Sequence, residues 1–176
     1  MNPHSDFTPA SLYFRPALSN DLSRICTIIR QAQEQMRRRG SLQWQNGYPA
    51  PENIRNDISH GYGYVLGDNS SVWAYGAVVF DGESAYNDIQ GEWLDDHPYV
   101  VLHRLAVADE VKRRGFAREF MQRVAELALE RGISSFRVDT NYDNEYMLRL
   151  LRSLNFIRCG IIRYDSGERI AFQKRL

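Results

Sequence analysis

The stretch VKRRGFAREF, residues 111–120, sets three cationic side chains ahead of a glycine and then opens into an apolar-periodic segment. Upstream lies YVVLHRLAV (99–107), too apolar for a surface edge and read as a buried strand. Downstream, GFAREFMQRVAELALERG (115–132) carries Phe116, Phe120, Val124, Leu127 and Ala128 on one helical face, with Gly132 as its stop. The junction is therefore a strand, a short connection and a helix that begins within a residue or two of Gly115. The first turn of a helix leaves backbone N–H groups without partners, and with the macrodipole they attract anions. Gly115 lets a ligand approach the backbone without a Cβ in the way, and Ala117 is small too. Lys112, Arg113 and Arg114 add positive charge beside those amides. Three readings are open: a solvated basic turn, a nucleic-acid patch, and a cradle for a pyrophosphate. Neither the Walker A pattern nor the dinucleotide fingerprint occurs.

Working outward, the order of elements narrows the fold. LYFRPA (12–17) reads as a short strand. Ser19 or Asn20 is placed to cap a helix with Leu22, Ile25, Ile28 and Ile29 at helical spacing, fading near Gly40. LQWQNGYPAP (42–51) is a loop rich in turn formers and aromatics, followed by a short helix at 51–60 with Ile54 and Ile58 on one face. GYVLGD (63–68) and SVWAYGAVVFD (71–81) form an antiparallel hairpin, and residues 82–98 read as a polar insertion with aromatics. A strand at 134–140, a helix at 144–153 that opens on Asn144, and two strands joined at Ser166–Gly167 close the chain. The order β α α β β β α β α β β predicts an α/β or α+β protein, with a mixed sheet carrying helices on both faces.

The 176 residues fit one domain, placed at 12–176 behind a flexible leader at 1–11 whose start, MNPHSDFTPA, is polar with two prolines. The 22 basic and 22 acidic residues cancel, which argues against nucleic acid or membrane as a whole-surface partner. Cys26 and Cys159 lie far apart and form no CxxC pair, so neither a disulfide framework nor a metal site is expected; they read as two buried thiols in a reducing compartment. No apolar run approaches a membrane span, and a cytoplasmic location is expected.

The run K-R-R-G-F-A at 112–117 resembles the R/Q-x-x-G-x-G/A motif of the GNAT superfamily of N-acetyltransferases, with Lys112 as a departure at the first position. Leu105, Ala106 and Val107 resemble the end of that family's fourth strand, and the element order is similar over residues 12–176. NEYMLRLLRSLNF (144–156) resembles the second motif, N-x-x-A-x-x-x-Y-x-x-x-G-F. Asn144 and Phe156 match it, while Met147, Leu151 and Asn155 replace the usual Ala, Tyr and Gly. WQNGYP, LHRLAV and CGII resemble a bacterial subgroup that points to no particular acceptor.

The resemblance implies a mostly antiparallel central sheet, splayed between its fourth and fifth strands beside a bulge, with acetyl-CoA in the gap. Carried over, Leu105, Ala106 and Val107 pair with the pantetheine arm. The turn Lys112–Ala117, through the amides of Arg113, Arg114, Gly115, Phe116 and Ala117, receives the diphosphate. The Val107 amide polarises the thioester carbonyl. Asn144 contacts the pantetheine arm or caps its helix, or both. His103 is the candidate base, on a strand face with Val101 and Leu105, or else a hydrogen-bonded structural histidine. Trp44 and Tyr48 line the acceptor pocket or plug the core beneath a turn; Glu92, Trp93, Asp95 and Asp96 form an acidic rim or a solvated loop. Asp139 and Asn141 rank behind these, and Tyr142, Tyr146 and Tyr164 are substitutes for the acid missing at Leu151.

The function implied is transfer of an acetyl or other acyl group from CoA to a primary amine of a small molecule, amino acid or peptide. The alternative is an acyl-CoA-binding or regulatory protein on the same fold, and Leu151 favours it. No metal is expected, and the oligomeric state is left open, a homodimer included.

Overall fold

The computed structural model describes residues 11–176, so the expected leader lies outside the described residues except for Ser11. The elements are β1 (Tyr13–Pro16), α1 (Leu22–Arg38), α2 (Pro51–Ser59), β2 (Gly63–Gly67), β3 (Val72–Val79), β4 (Gln90–Gly91), β5 (Val100–Val107), α3 (Phe116–Glu130), β6 (Ser135–Thr140), α4 (Glu145–Ser153), β7 (Ile157–Tyr164) and β8 (Gly167–Arg175). One eight-stranded sheet runs in the order β1-β2-β3-β5-β6-β8-β7-β4. Every neighbouring pair is antiparallel except β5 and β6. The expected mixed, mostly antiparallel sheet is thus what forms.

Alternation along β3 shows which helices cover which face. Trp73 carries the Arg24 guanidinium of α1 over its ring, and the Tyr75 hydroxyl donates to Asp57 of α2. Gly76, on the opposite face, looks at Phe120 of α3. Helices therefore lie on both faces, and their apolar stripes (Ile25, Ile28 and Ile29 of α1; Phe116, Phe120 and Val124 of α3) are buried against the sheet.

Two local expectations change. Neither Ser19 nor Asn20 caps α1; a 3-10 turn, Ser19–Asp21, precedes it. The Asp21 carboxylate accepts from the Leu18 amide at 2.8 Å and from the Arg15 guanidinium at 2.7 and 3.0 Å. Cys26 and Cys159 are half-buried rather than buried. The insertion is ordered by the sheet beneath it: Tyr86 is buried against Val101, Ile162 and Ala171, and Gln90 and Gly91 pair with Ile161 and Gly160 of β7. Arg137 lies over the rings of Trp93 and Tyr99 at 4.3 and 3.9 Å, which fastens the strap to β6.

The sheet opens in its middle. β5 and β6 share only the pairs Val100↔Phe136 and Val101↔Arg137 and then part, which is the expected splay. On its other side β5 is bulged: His103 faces Ala77 and Ala106 faces Tyr75, so Arg104 and Leu105 together face Gly76 alone. Arg104 takes a left-handed φ of 57° there. The bulge resets the alternation, so Ala106 takes the place on the face of Val101 and His103 that unbroken alternation would give Leu105. Opposite it, a Cβ on Gly76 would lie 2.8 Å from Leu102 Cδ1 and 2.9 Å from Phe120 Cε1.

Gly76→Ala should therefore overpack the seam between β3, β5 and α3 and cost about 1–3 kcal/mol. Urea denaturation checks this; an unchanged midpoint would mean that Leu102 and Phe120 relax freely.

Candidate functional site

Where β5 and β6 part, a cleft of about 780 Å³ opens. Its walls come from the loop after α1, from α2, from the ends of β3 and β6, from the middle of β5, from the start of α4 and from the hairpin between β7 and β8. His103, Leu105, Asn144, Trp44 and Tyr48 all line it; Ala106, Val107 and the 112–117 turn do not. The expected residues thus fall into two groups, one around the cleft and one at the end of β5 and beyond it.

The second group is main chain. The Ala108 amide donates to the Trp73 carbonyl at 2.8 Å. Backbone groups alternate sides along a strand, so the Val107 amide points the other way, to the edge that β6 has left. A 3-10 turn, Asp109–Val111, then carries the chain to the N-terminus of α3. Gly115 sits there at φ 85°, with nothing within 4 Å of where a Cβ would stand. Phe116 and Ala117 are buried, so the helix start is anchored by its side chains while Arg113, Arg114 and Gly115 are exposed. Arg113 also takes a positive φ, 63°, and the Lys112 ammonium pairs with Asp109.

The first group is a lattice of polar contacts. Arg104 donates to Asp57 through Nε at 2.9 Å and Nη2 at 2.5 Å, and to the Tyr48 hydroxyl through Nη1 at 2.7 Å. Burial works against the Arg104 charge, but Asp57 and Tyr48 together outweigh it and hold the guanidinium above its ordinary range. His103 Nε2 lies 3.2 Å from Glu83 Oε2. The Glu83 carboxyl is held below the usual glutamate range by His103, against the opposing effect of burial and with help from the Ala85 amide. Across the gap, the hydroxyls of Tyr86 and Tyr164 donate to Asp139 Oδ2 at 2.7 and 2.9 Å. Burial, then the Asp139 charge, pushes both phenols up.

The loop at 41–48 spans this cleft. Asp143 accepts from the Ser41 hydroxyl at 2.7 Å and the Leu42 amide at 3.0 Å. Asn144 caps α4 by accepting from the Met147 amide, and its Nδ2 donates to Gln43 Oε1 at 3.0 Å. Trp44 both packs against the core and lines the cleft. Asp139 and Tyr164 line the cleft as well. Glu92, Trp93, Asp95 and Asp96 do not: Asp95 bonds Gln173 and Arg175, and Trp93 packs on Tyr86, so the acidic rim is not there. Tyr142 and Tyr146 are exposed outside the cleft, and Leu151 is fully buried in the core. Asn155 adopts the φ of 63° that suits the Gly of the motif it resembles, which a short amide side chain tolerates.

Sequence reasoning missed Glu83, Asp57 and Arg104. Asp57 had a signal, since it falls between Ile54 and Ile58 on the apolar face of α2, and Arg104 interrupts an apolar strand. Glu83 had none.

Residues 27–156 match the model of the acetyltransferase (GNAT) family. A GNAT-family acetyltransferase from Streptococcus agalactiae 2603 is similar over 94% of this chain and 95% of its own, at 33% identity and a TM-score of 0.85. One from Listeria monocytogenes 4b F2365 shares the fold at 18% identity and a TM-score of 0.74, over 94% and 95% of the two chains. The ribosomal-protein-S18-alanine N-acetyltransferase of Escherichia coli shares it at 15% identity and a TM-score of 0.62, over 93% of each chain. None of the curated proteins compared matches in sequence.

The depressed Glu83 carboxyl has a stability consequence. A group that ionises more readily in the fold stabilises it above its unfolded value, about 4.3, and that contribution is lost as pH falls toward the lower folded value. Glu83→Gln should therefore show a shallower fall in Tm than the parent between about pH 5 and pH 3. Parallel profiles would remove the pairing with His103.

Proposed function

The chain belongs to the acetyltransferase (GNAT) family, and we propose that it is an N-acyltransferase moving an acetyl group from acetyl-CoA to a primary amine of a small molecule, amino acid or peptide. The observation that carries the reading is the Val107 amide turned toward the edge that β6 vacates, between a cleft that holds an imidazole and a helix start with an open glycine. GNAT acetyltransferases use acetyl-CoA, and the residues present suit it. The main chain of Leu105, Ala106 and Val107 takes the pantetheine arm with Asn144 beside it, and Lys112 with the amides of Arg113–Ala117 receives the diphosphate. Trp44 and Tyr48 bound the acceptor.

An alkylamine is mostly protonated at neutral pH and attacks only as the free base. His103, with Glu83 orienting its ring, takes the proton. The amine nitrogen bonds the thioester carbon, the C–S bond breaks, and the Val107 N–H stabilises the charge that develops on the carbonyl oxygen. Leu151 offers no proton to the departing thiolate, which takes one from solvent. That same buried Leu151 favours a second reading, a protein that holds acyl-CoA without turning it over.

Release of free thiol from acetyl-CoA across a panel of amines, alongside the thermal shift that acetyl-CoA produces, separates the two. Shift with release is expected; shift without release for any amine selects the holder.

Gly115→Glu should weaken CoA binding by about 100-fold or more, since it sets bulk and negative charge at the diphosphate. Gly115→Ala controls for strain at that φ, and unchanged affinity in a folded Gly115→Glu protein overturns the placement. His103→Ala should lower kcat by about 100-fold at pH 7 with little change in CoA affinity. A parental pH–rate profile in that variant takes the role from His103.

A further inference from the structure

Among the described residues, the tyrosines lining the cleft are Tyr48, Tyr62 and Tyr164, and their hydroxyls are not equivalent. Tyr62 donates to Asp81 at 2.6 Å and Tyr164 donates to Asp139 at 2.9 Å, so each of those protons is committed to a carboxylate. The bond to Asp81 pushes the Tyr62 phenol up; burial, then the Asp139 charge, does the same to Tyr164. A phenolate at either place would face a carboxylate. Tyr164 is therefore a poor substitute for the acid missing at Leu151, and Tyr142 and Tyr146 lie outside the cleft.

Tyr48 has the opposite polarity. A guanidinium carries donors only, so at 2.7 Å from Arg104 Nη1 the Tyr48 oxygen accepts. Its own O–H meets no acceptor among the described residues. The side chain is also held in place. Gln33 of α1 donates to the Tyr48 and Pro49 carbonyls at 3.0 and 3.2 Å, and Asp57 fixes Arg104 through its other two nitrogens. Arg104 shares the β5 bulge with Leu105, whose main chain takes the pantetheine arm on the acyltransferase reading. An uncommitted phenol proton thus stands beside the part of β5 where the thioester would lie.

We propose that Tyr48 is the catalytic acid through which the departing thiolate takes its solvent proton. This rests on the acyltransferase reading of the cleft. As the C–S bond breaks, its electron pair stays on sulfur, the Tyr48 O–H proton moves to that sulfur, and a phenolate is left on Oη. The Arg104 guanidinium, already bonded to that oxygen, is the counter-charge. The proton from the amine nitrogen rests on His103 beside Glu83 and is not the one that sulfur takes. Tyr48 is 41% exposed, so water returns a proton to the phenolate while His103 gives its own back to water, and the cycle closes.

Tyr48→Phe keeps the ring and deletes the proton; it removes one hydroxyl from an exposed side chain, so the protein should fold. The first measurement needs no amine: calorimetric affinities for CoA and for desulfo-CoA, which lacks the sulfur. The parent should bind CoA about threefold or more tighter, and Tyr48→Phe should bring that ratio toward one. The second is thiol release from acetyl-CoA with the amine panel. Tyr48→Phe should lower kcat about tenfold or more, with the KM for the amine within about twofold. A ratio of one in the parent, a ratio that Tyr48→Phe leaves unchanged, or a loss confined to the KM for the amine overturns the assignment. In each of those cases thiol release by the parent leaves the acyltransferase reading standing. CoA binding without release for any amine overturns that reading, and the acid with it.

Discussion

A half-buried guanidinium and a buried carboxylate govern the middle of this protein. Arg104 sits at the kink of β5, at a backbone angle that a side chain rarely adopts, and Asp57 reaches it from α2. The Tyr75 hydroxyl completes the Asp57 shell, and Tyr48 brings the loop over the cleft onto the other side of Arg104. Neither charge is tolerable there alone, since removing one partner leaves the other desolvated and uncompensated. The bulge, the position of α2 and the floor of the cleft are therefore one object. His103 owes its place beside the opening to a bend that this pair keeps.

Around that pair the labour divides between main chain and side chain. The turn at 112–117 and the end of β5 present backbone N–H groups, so they depend on residue identity only through size and backbone angle, as at Gly115 and Ala117. The cleft is the reverse: Glu83, His103, Asp139 and the tyrosines act through side chains brought from a strap, two strands and the last hairpin. On the proposed acyltransferase reading, the backbone half faces a feature constant in every acyl-CoA, and the side-chain half faces the partner that differs from enzyme to enzyme.

The same division explains what the sequence reveals. The strand, turn and helix at 99–132 are legible because periodicity, a glycine and a basic run coincide within a few residues. The hairpin at 63–81 and the last two strands are legible for the same local reasons. The insertion at 82–98 is not, because its order comes from distant contacts: Tyr86 on Asp139, Leu94 on Gln173, Trp93 beneath Arg137. Glu83 is lost with it. The α1 cap fails for a local reason, since Asp21 competes with Ser19 and Asn20 and also finds Arg15. The loop after α1 is foreseen as a loop, but its fastening to Asp143 and Asn144 joins positions about a hundred residues apart, beyond any local pattern.

The parting of β5 from β6 leaves two half-sheets, β1-β2-β3-β5 and β6-β8-β7-β4, sewn together by two residue pairs and by what packs above and below. A molecule lying along both vacated edges would supply the missing stitches, and its binding would stabilise the folded state by RT ln(1 + [L]/Kd). Saturated in that way, the protein would be a different mechanical body from the empty one: a single continuous sheet rather than two halves joined along a short seam.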